Sequence, residues 1–177
     1  MTHAESCTCR EHPLPASLSV QAARDLYLAE NGFTVAGYTA RWTSATFLGI
    51  PLLVLNTKTH AWGIRLHDLH HLATGYGTDL RGEGEISVWE ARGKLASLGL
   101  YTGSIVLTGV TFGWLLSPSR MKTASRAPQK RNLFDRSLHY DSLLTMTVGG
   151  LRGLLGIPQA GVFQGKRELH ARAPKSA

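Results

Sequence analysis

Apolar residues along the chain recur at helical rather than strand spacing, and polar or glycine-containing breaks divide them into about six segments. The stretch 17–30 opens on Ser17, carries Val20, Leu26 and Leu28, and ends at Asn31-Gly32, a favourable helix stop. A second helical stretch is predicted over 33–46, before Gly49-Ile50-Pro51 interrupts an apolar run that includes Leu52, Leu53, Val54 and Leu55. Asn56 or Thr57 caps a third helix, 57–73, which stops where Gly75 and Gly77 force a turn. Thr78 or Asp79 caps a fourth, through residue 98. A long uncharged helix follows and is closed by Pro118. A last helix, 137–155, carries Leu143, Leu144, Val148, Leu151 and Leu155 on one stripe and closes at Gly156. No strand-type alternation competes over comparable length, and no internal repeat is visible. The expectation is an all-α single domain at 17–156, between a flexible N-terminal tail, 1–16, and a C-terminal tail, 157–177.

Composition sharpens the class. With 43% hydrophobic residues the 177-residue chain is not intrinsically disordered, and 18% charged residues is below the roughly 25% usual for a soluble domain. The only cysteines, Cys7 and Cys9, are too close for an unstrained bridge, so a disulfide scaffold is excluded and a reducing compartment fits. Residues 1–119 hold eight basic against nine acidic side chains, whereas 120–177 hold eleven against three, so the net charge of +7 comes entirely from the last third. Such a block attracts nucleic acid, an anionic membrane or an acidic partner without choosing among them. The basic connector 119–136, with Arg120, Lys122, Arg126, Lys130, Arg131 and Arg136, directly follows the uncharged run 95–119. That run is long enough to cross a bilayer, which needs about 20 residues, but its glycines and hydroxyl residues make insertion marginal. It is read as a buried or lipid-contacting helix whose small residues at spacing four (Gly99 with Gly103, Gly109 with Gly113) admit a close neighbour. A greasy helix followed by a cationic segment suits a membrane surface. Residues 1–15 carry Glu5 and Glu11 and no apolar core of signal-peptide length, and a single Arg10 supports no mitochondrial leader.

The chemistry concentrates in the third helix, in His67-Asp68-Leu69-His70-His71. At about 100° per residue, His71 lies about 40° from His67 and one turn along, so both imidazoles leave one face and can share a cation. His60 shares that face but stands two turns before His67, too far for a third ligand. Asp68 and His70 flank the pair on opposite sides. Twelve residues after His71, Glu83 falls in the first turn of the fourth helix, and the intervening turn can fold the two helices face to face. A pair of histidines at this spacing is common by chance; the added carboxylate makes it a metal candidate. The mixed nitrogen and oxygen set suits a divalent metal, zinc first, with iron(II) or manganese as alternatives, and the lack of thiolates argues against a structural zinc. Asp68 either binds directly or orients His71 from behind. Glu85 and Glu90 are competing carboxylates, and His3, Cys7, Cys9 and His12 form a second, unscaffolded donor set in the tail.

The pattern His-Asp-x-x-His, eleven residues, then Glu, filled by His67, Asp68, His71 and Glu83 and containing Thr74-Gly75-Tyr76-Gly77-Thr78-Asp79, resembles the metal motif of the ubiquinone (coenzyme Q) biosynthesis protein family usually numbered four. The resemblance is close over 66–90 and weaker elsewhere. It implies an all-helical, membrane-associated protein that binds a divalent metal through those four side chains, which are then also its catalytic residues, and holds a polyprenyl chain in an apolar groove. Members of that family act on the carboxylated ring of a polyprenylated hydroxybenzoate, removing the carboxylate oxidatively and leaving a hydroxyl at that carbon. The partners implied are a polyprenyl lipid substrate, a membrane surface, and a second copy or a quinone-biosynthesis complex. The expected setting is peripheral, on the cytoplasmic face of a bacterial inner membrane. Zinc has no redox chemistry, so an oxygen-consuming reaction would need iron or electrons from the substrate phenolate.

Other readings compete. A His-Asp phosphohydrolase would build on His67-Asp68 and recruit Asp135 or Asp141, and a metallopeptidase would use Asp68 one methylene short of the usual general base. A scaffold that binds prenyl lipid without catalysis uses the same metal and the same apolar surface. Nucleic-acid binding is disfavoured, because no stacking aromatics interleave the basic residues of 119–136.

Overall fold

The structure, a computed structural model, describes residues 14–47 and 50–163, with side chains throughout except at 43–52. His3, Cys7, Cys9 and His12, and the tail from 164 onward, lie outside the described residues. The described chain is mostly helical, an all-α single domain carrying one two-stranded hairpin. Its elements in order are α1 (Val20–Glu30), β1 (Trp42–Phe47), β2 (Ile50–Leu55), α2 (Lys58–Thr74), α3 (Leu80–Ala91), α4 (Gly99–Leu116), α5 (Pro118–Ala124), α6 (Tyr140–Leu144) and α7 (Val148–Leu155), with 3₁₀ turns at Val35–Tyr38 and Ala96–Leu98.

Helix starts follow local chemistry. Ser19, Thr57, Asp79 and Thr147 each accept an amide hydrogen bond from the first turn of the helix they cap. Gly75 ends α2 at φ 85°, a left-handed conformation that costs a glycine little, and Gly156 ends α7 in the same way.

Three boundaries differ from the sequence reading. The helix expected over 33–46 is instead a 3₁₀ turn followed by β1, which pairs antiparallel with β2 from Trp42↔Leu55 to Phe47↔Ile50. Trp42, Thr43, Thr46 and Phe47 are β-branched or aromatic and fit a strand, and Pro51 is tolerated because a hairpin has free edges. The fourth helix stops at Ala91 rather than near 98, giving way to Gly93 and the second 3₁₀ turn before α4 begins. The last helix breaks into α6 and α7. At the break, the amide of Val20 donates to Met146 and that of Val148 donates to Leu18, so backbone pairing with the entry to α1 replaces helical bonds.

Residues 157–163 are packed rather than loose. Ile157 is buried, and the amides of Val162 and Phe163 both donate to the carbonyl of Thr74 at the end of α2. Arg152 underlies this closure. It is buried and donates to the carbonyls of Ala73, Leu14 and Gln159, tying three separated segments together without a carboxylate partner.

Between α3 and α4 the backbones touch. A Cβ on Gly84 would lie 2.7 Å from the Cα of Gly113, and one on Gly113 would lie 2.9 Å from the Cα of Gly84. The spacing-four pair Gly109 and Gly113 therefore serves as a helix contact, whereas Gly99 and Gly103 face open space. The outward side of α4 is uncharged and exposed, with Leu100 95% accessible and Leu115 71%. By length and composition 96–116 can cross a membrane, and most of it is unburied. α4 packs mainly on α3 and also touches α2, while α7 packs on α2 and α1.

These contacts separate two glycine substitutions on one helix. Gly113→Val should destabilise by about 1–3 kcal/mol or more through overpacking against Gly84, while Gly103→Ala should be neutral or stabilise by about 0.5–1 kcal/mol through better helix propensity. Urea unfolding curves of the two variants check this; equal midpoints would remove the close-contact assignment.

Candidate metal centre

α2 and α3 lie against each other so that His67, His71 and Glu83 each direct a donor atom at one point, all three atoms lying within 4.8 Å of one another. The His67 and His71 Nε2 atoms are 3.0 Å apart. Glu83 brings one carboxylate oxygen 3.3 Å from His67 Nε2 and the other 3.5 Å from His71 Nε2. His71 is fully buried, His67 is 23% exposed, and Glu83, at 39%, forms the solvent side.

The outer nitrogens determine what the inner ones can do. His71 Nδ1 sits 3.0 Å from the carbonyl of Tyr76, which only accepts, so Nδ1 carries the hydrogen. His67 Nδ1 faces Glu90 Oε1 at 2.8 Å and donates to it in the same way. Each neutral ring is thereby left with a lone pair on Nε2, and the two lone pairs converge beside a carboxylate. With both rings neutral, two acceptors at 3.0 Å repel unless a proton or a metal ion lies between them, and this donor set fits a divalent metal such as zinc, iron(II) or manganese. The Tyr76 carbonyl and Glu90 supply the outer hydrogen bonds that orient metal-binding histidines.

Electrostatics agree with the geometry. Burial alone would lower His67, but Glu90 and Glu83 reverse that and hold its pKa well above the ordinary imidazole value. Burial alone would raise Glu83, yet His71 and His67 hold it well below the usual carboxylate range. Glu90 is depressed likewise, by His67 and His70 against the effect of its own burial. The extra proton that His67 attracts belongs at Nε2, where a metal ion would compete for it.

Asp68 is placed elsewhere. Its buried carboxylate accepts from the Tyr38 hydroxyl at 2.5 Å and from the Tyr27 hydroxyl at 3.4 Å, and it is not among the three converging donors. Burial raises its pKa, with His67 opposing. Its link to the centre is indirect, because the Tyr27 ring stacks on His71 with centroids 5.9 Å apart. His70 is also outside: its Nε2 accepts the Leu133 amide at 2.8 Å and its Nδ1 donates to Glu90 at 2.6 Å, so burial, which lowers its pKa, keeps it a neutral core residue. His60 bonds Asn56, and Glu85 is held by Arg120 in a two-point ion pair. Asp135 is engaged by Arg131 and Ser137, and Asp141 lies exposed in the first turn of α6, so neither completes a phosphohydrolase set with His67.

Glu90 is the residue whose importance sequence reasoning understated. Its signal was present in the spacing: seven residues after Glu83 it lies on the same face of α3, one step deeper. No protein-family model matches the chain, and no curated protein or solved structure gives a significant match to it.

Four substitutions separate these roles in metal analysis of purified protein. His71→Ala and Glu83→Ala should remove bound divalent metal while helicity persists, and Asp68→Asn should retain metal stoichiometry. Glu90→Gln should keep every ligand yet weaken affinity by about 10–100-fold. Because the metal displaces a proton that Glu90 and Glu83 favour on His67, affinity should fall as pH drops through and below the raised His67 pKa, by about tenfold per unit. Chelator competition across pH measures it, and a flat profile would contradict the assignment of His67.

Proposed function

We propose that the protein is a metal-dependent enzyme of prenylquinone biosynthesis that works at a membrane surface. In this reading it removes the carboxylate of a polyprenylated hydroxybenzoate as carbon dioxide and leaves a water-derived hydroxyl at that ring carbon, with dioxygen as the two-electron oxidant, reduced to hydrogen peroxide. The observation that carries it is the convergence of His67, His71 and Glu83 on one point, within a motif that resembles the coenzyme Q biosynthesis family described above. A metal bound there supplies Lewis acidity toward a carboxylate or phenolate oxygen of the ring. His67 and His71 would hold it from the buried side, and Glu83 from the accessible side, which is where a substrate ring approaches. Glu90 and the Tyr76 carbonyl prevent the imidazoles from rotating away.

The membrane part rests on surface chemistry. Leu100, Ile105, Leu107, Trp114, Leu115 and Leu116 are exposed on α4 with no charged residue among them. Trp42, Leu53 and Leu55 of the hairpin are exposed too, and Tyr101 joins α4 to the hairpin by donating to the Leu55 carbonyl at 3.2 Å. A contiguous apolar surface of this kind is an interaction surface in a soluble protein and suits a prenyl lipid or a bilayer interface.

The test is release of labelled carbon dioxide from a prenylated hydroxybenzoate carrying ¹⁴C in its carboxylate, with iron(II) or zinc added to the purified protein in lipid vesicles. Wild-type protein should release it and Glu83→Ala should not. Metal-loaded protein that binds the lipid and releases none would replace catalysis by a scaffolding role.

A further inference from the structure

On the flank of α2 away from the metal centre lies an open cleft of about 380 Å³, walled by Tyr38, Asn56, Lys58, Trp62, Arg65 and Tyr140. Arg65 stands about 200° around the helix axis from His67, so the cleft and the metal ligands face different ways. No carboxylate lines it. Asp68 lies behind Tyr38 and is bound to the hydroxyl of that ring.

Arg65 is unlike the other partly buried cations. Arg120 holds Glu85, Arg24 holds Asp25, Arg131 holds Asp135, and Arg152 donates to backbone carbonyls. Arg65 forms no ion pair or hydrogen bond among the described residues, and its Nε is buried without an acceptor. Its guanidinium lies between two rings, 5.6 Å from the centroid of Tyr38 and 5.8 Å from that of Tyr140. Those rings hold the guanidinium in place but supply no acceptor, so its buried Nε–H is left without one while the half-buried residue keeps its place on the cleft wall. Lys58 is exposed at the cleft and has no ion pair either. A third cation is close, since Arg136 lies 3.8 Å over the Trp62 ring. Asn56 is committed, donating to the carbonyls of Tyr38 and Ala40 and bonding His60 through its oxygen, so it shapes the wall without offering itself.

We infer that this cleft binds a small organic oxyanion, a carboxylate or phosphate carried on a flat apolar body, with Arg65 and Lys58 holding the oxyanion and Trp62 facing the body. A guanidinium presents paired donors matched to such a group, and the cleft is large enough for a single ring and its substituent. The site is independent of the metal reading: it uses none of its residues.

The test uses the full chain with ¹⁵N-labelled tryptophan, the Trp62 indole resonance being assigned from Trp62→Phe. Phenyl phosphate and benzoate, separately, should shift that resonance saturably while the buried Trp89 stays fixed, and inorganic phosphate should bind more weakly than phenyl phosphate. Arg65→Gln should lose about tenfold or more in affinity, Lys58→Gln about threefold, and Arg65→Lys should fall between wild type and Arg65→Gln. Whichever of the two anions binds tighter identifies the oxyanion. No saturable shift up to about 20 mM, weaker than any affinity of use, would overturn the site, as would wild-type affinity in Arg65→Gln. Should Arg65→Gln disturb Trp89 and so the fold, unchanged affinity in Lys58→Gln, whose side chain is exposed, overturns it instead. Equal binding of inorganic phosphate and phenyl phosphate would eliminate the apolar body.

Discussion

One buried carboxylate organises the centre. Glu90 Oε1 receives the Nδ1 hydrogens of both His67 and His70, at 2.8 and 2.6 Å, from a position with no solvent exposure. That shared acceptance fixes two tautomers at once. It turns the His67 lone pair outward toward Glu83 and His71, and it commits His70 to the core, where the Leu133 amide satisfies its other nitrogen. Without Glu90, two adjacent imidazoles on one helix would have no reason to take opposite roles. A buried anion is tolerable only because these two donors compensate its desolvation.

The same short helix links site and packing. Glu83 and Glu90 stand seven residues apart on the face of α3 toward α2, while Gly84 and Ser87 lie toward α4, where they meet Gly113 and Gly109 at backbone distance. α3 is thus held between the donors of α2 on one side and an uncharged helix on the other, and nearly all of it from Gly84 to Glu90 is buried. Small residues at that contact let α4 seat closely, which leaves its larger apolar side chains on the outside. The exposed apolar surface and the metal centre are therefore two consequences of how one helix is sandwiched.

The basic last third of the chain also resolves into separate uses. Arg120 is spent on Glu85, Arg131 on Asp135, Arg136 on the Trp62 face and the Ser97 carbonyl, and Arg152 on three buried carbonyls. Four of the eleven cations in that block are thus engaged within the fold, while Lys122, Arg126 and Lys130 stay exposed. Among the described arginines that are not exposed, Arg65 lacks such a partner, and it comes from the acidic first part of the chain.

What the sequence determined by itself was local. The helical periodicity, a cap at Asn56 or Thr57 and another at Thr78 or Asp79, and the placing of His67 and His71 on one face all follow from chemistry within a turn or two, and so were legible without a fold, whereas the first helix is capped by Ser19 and not by Ser17. The approach of Glu83 was legible because a glycine turn limits how two short-linked helices can meet. The tertiary structure alone decided that Asp68 belongs to a tyrosine pair, that Glu90 steers His67 and His70, and that 33–55 holds a hairpin and 137–155 a broken helix. All of those but the hairpin depend on partners twenty or more residues away, across helix contacts whose register no local spacing specifies: two carboxylates on the same face of α3 are equivalent in sequence, and only the depth at which α2 packs against them makes one a ligand and the other its support.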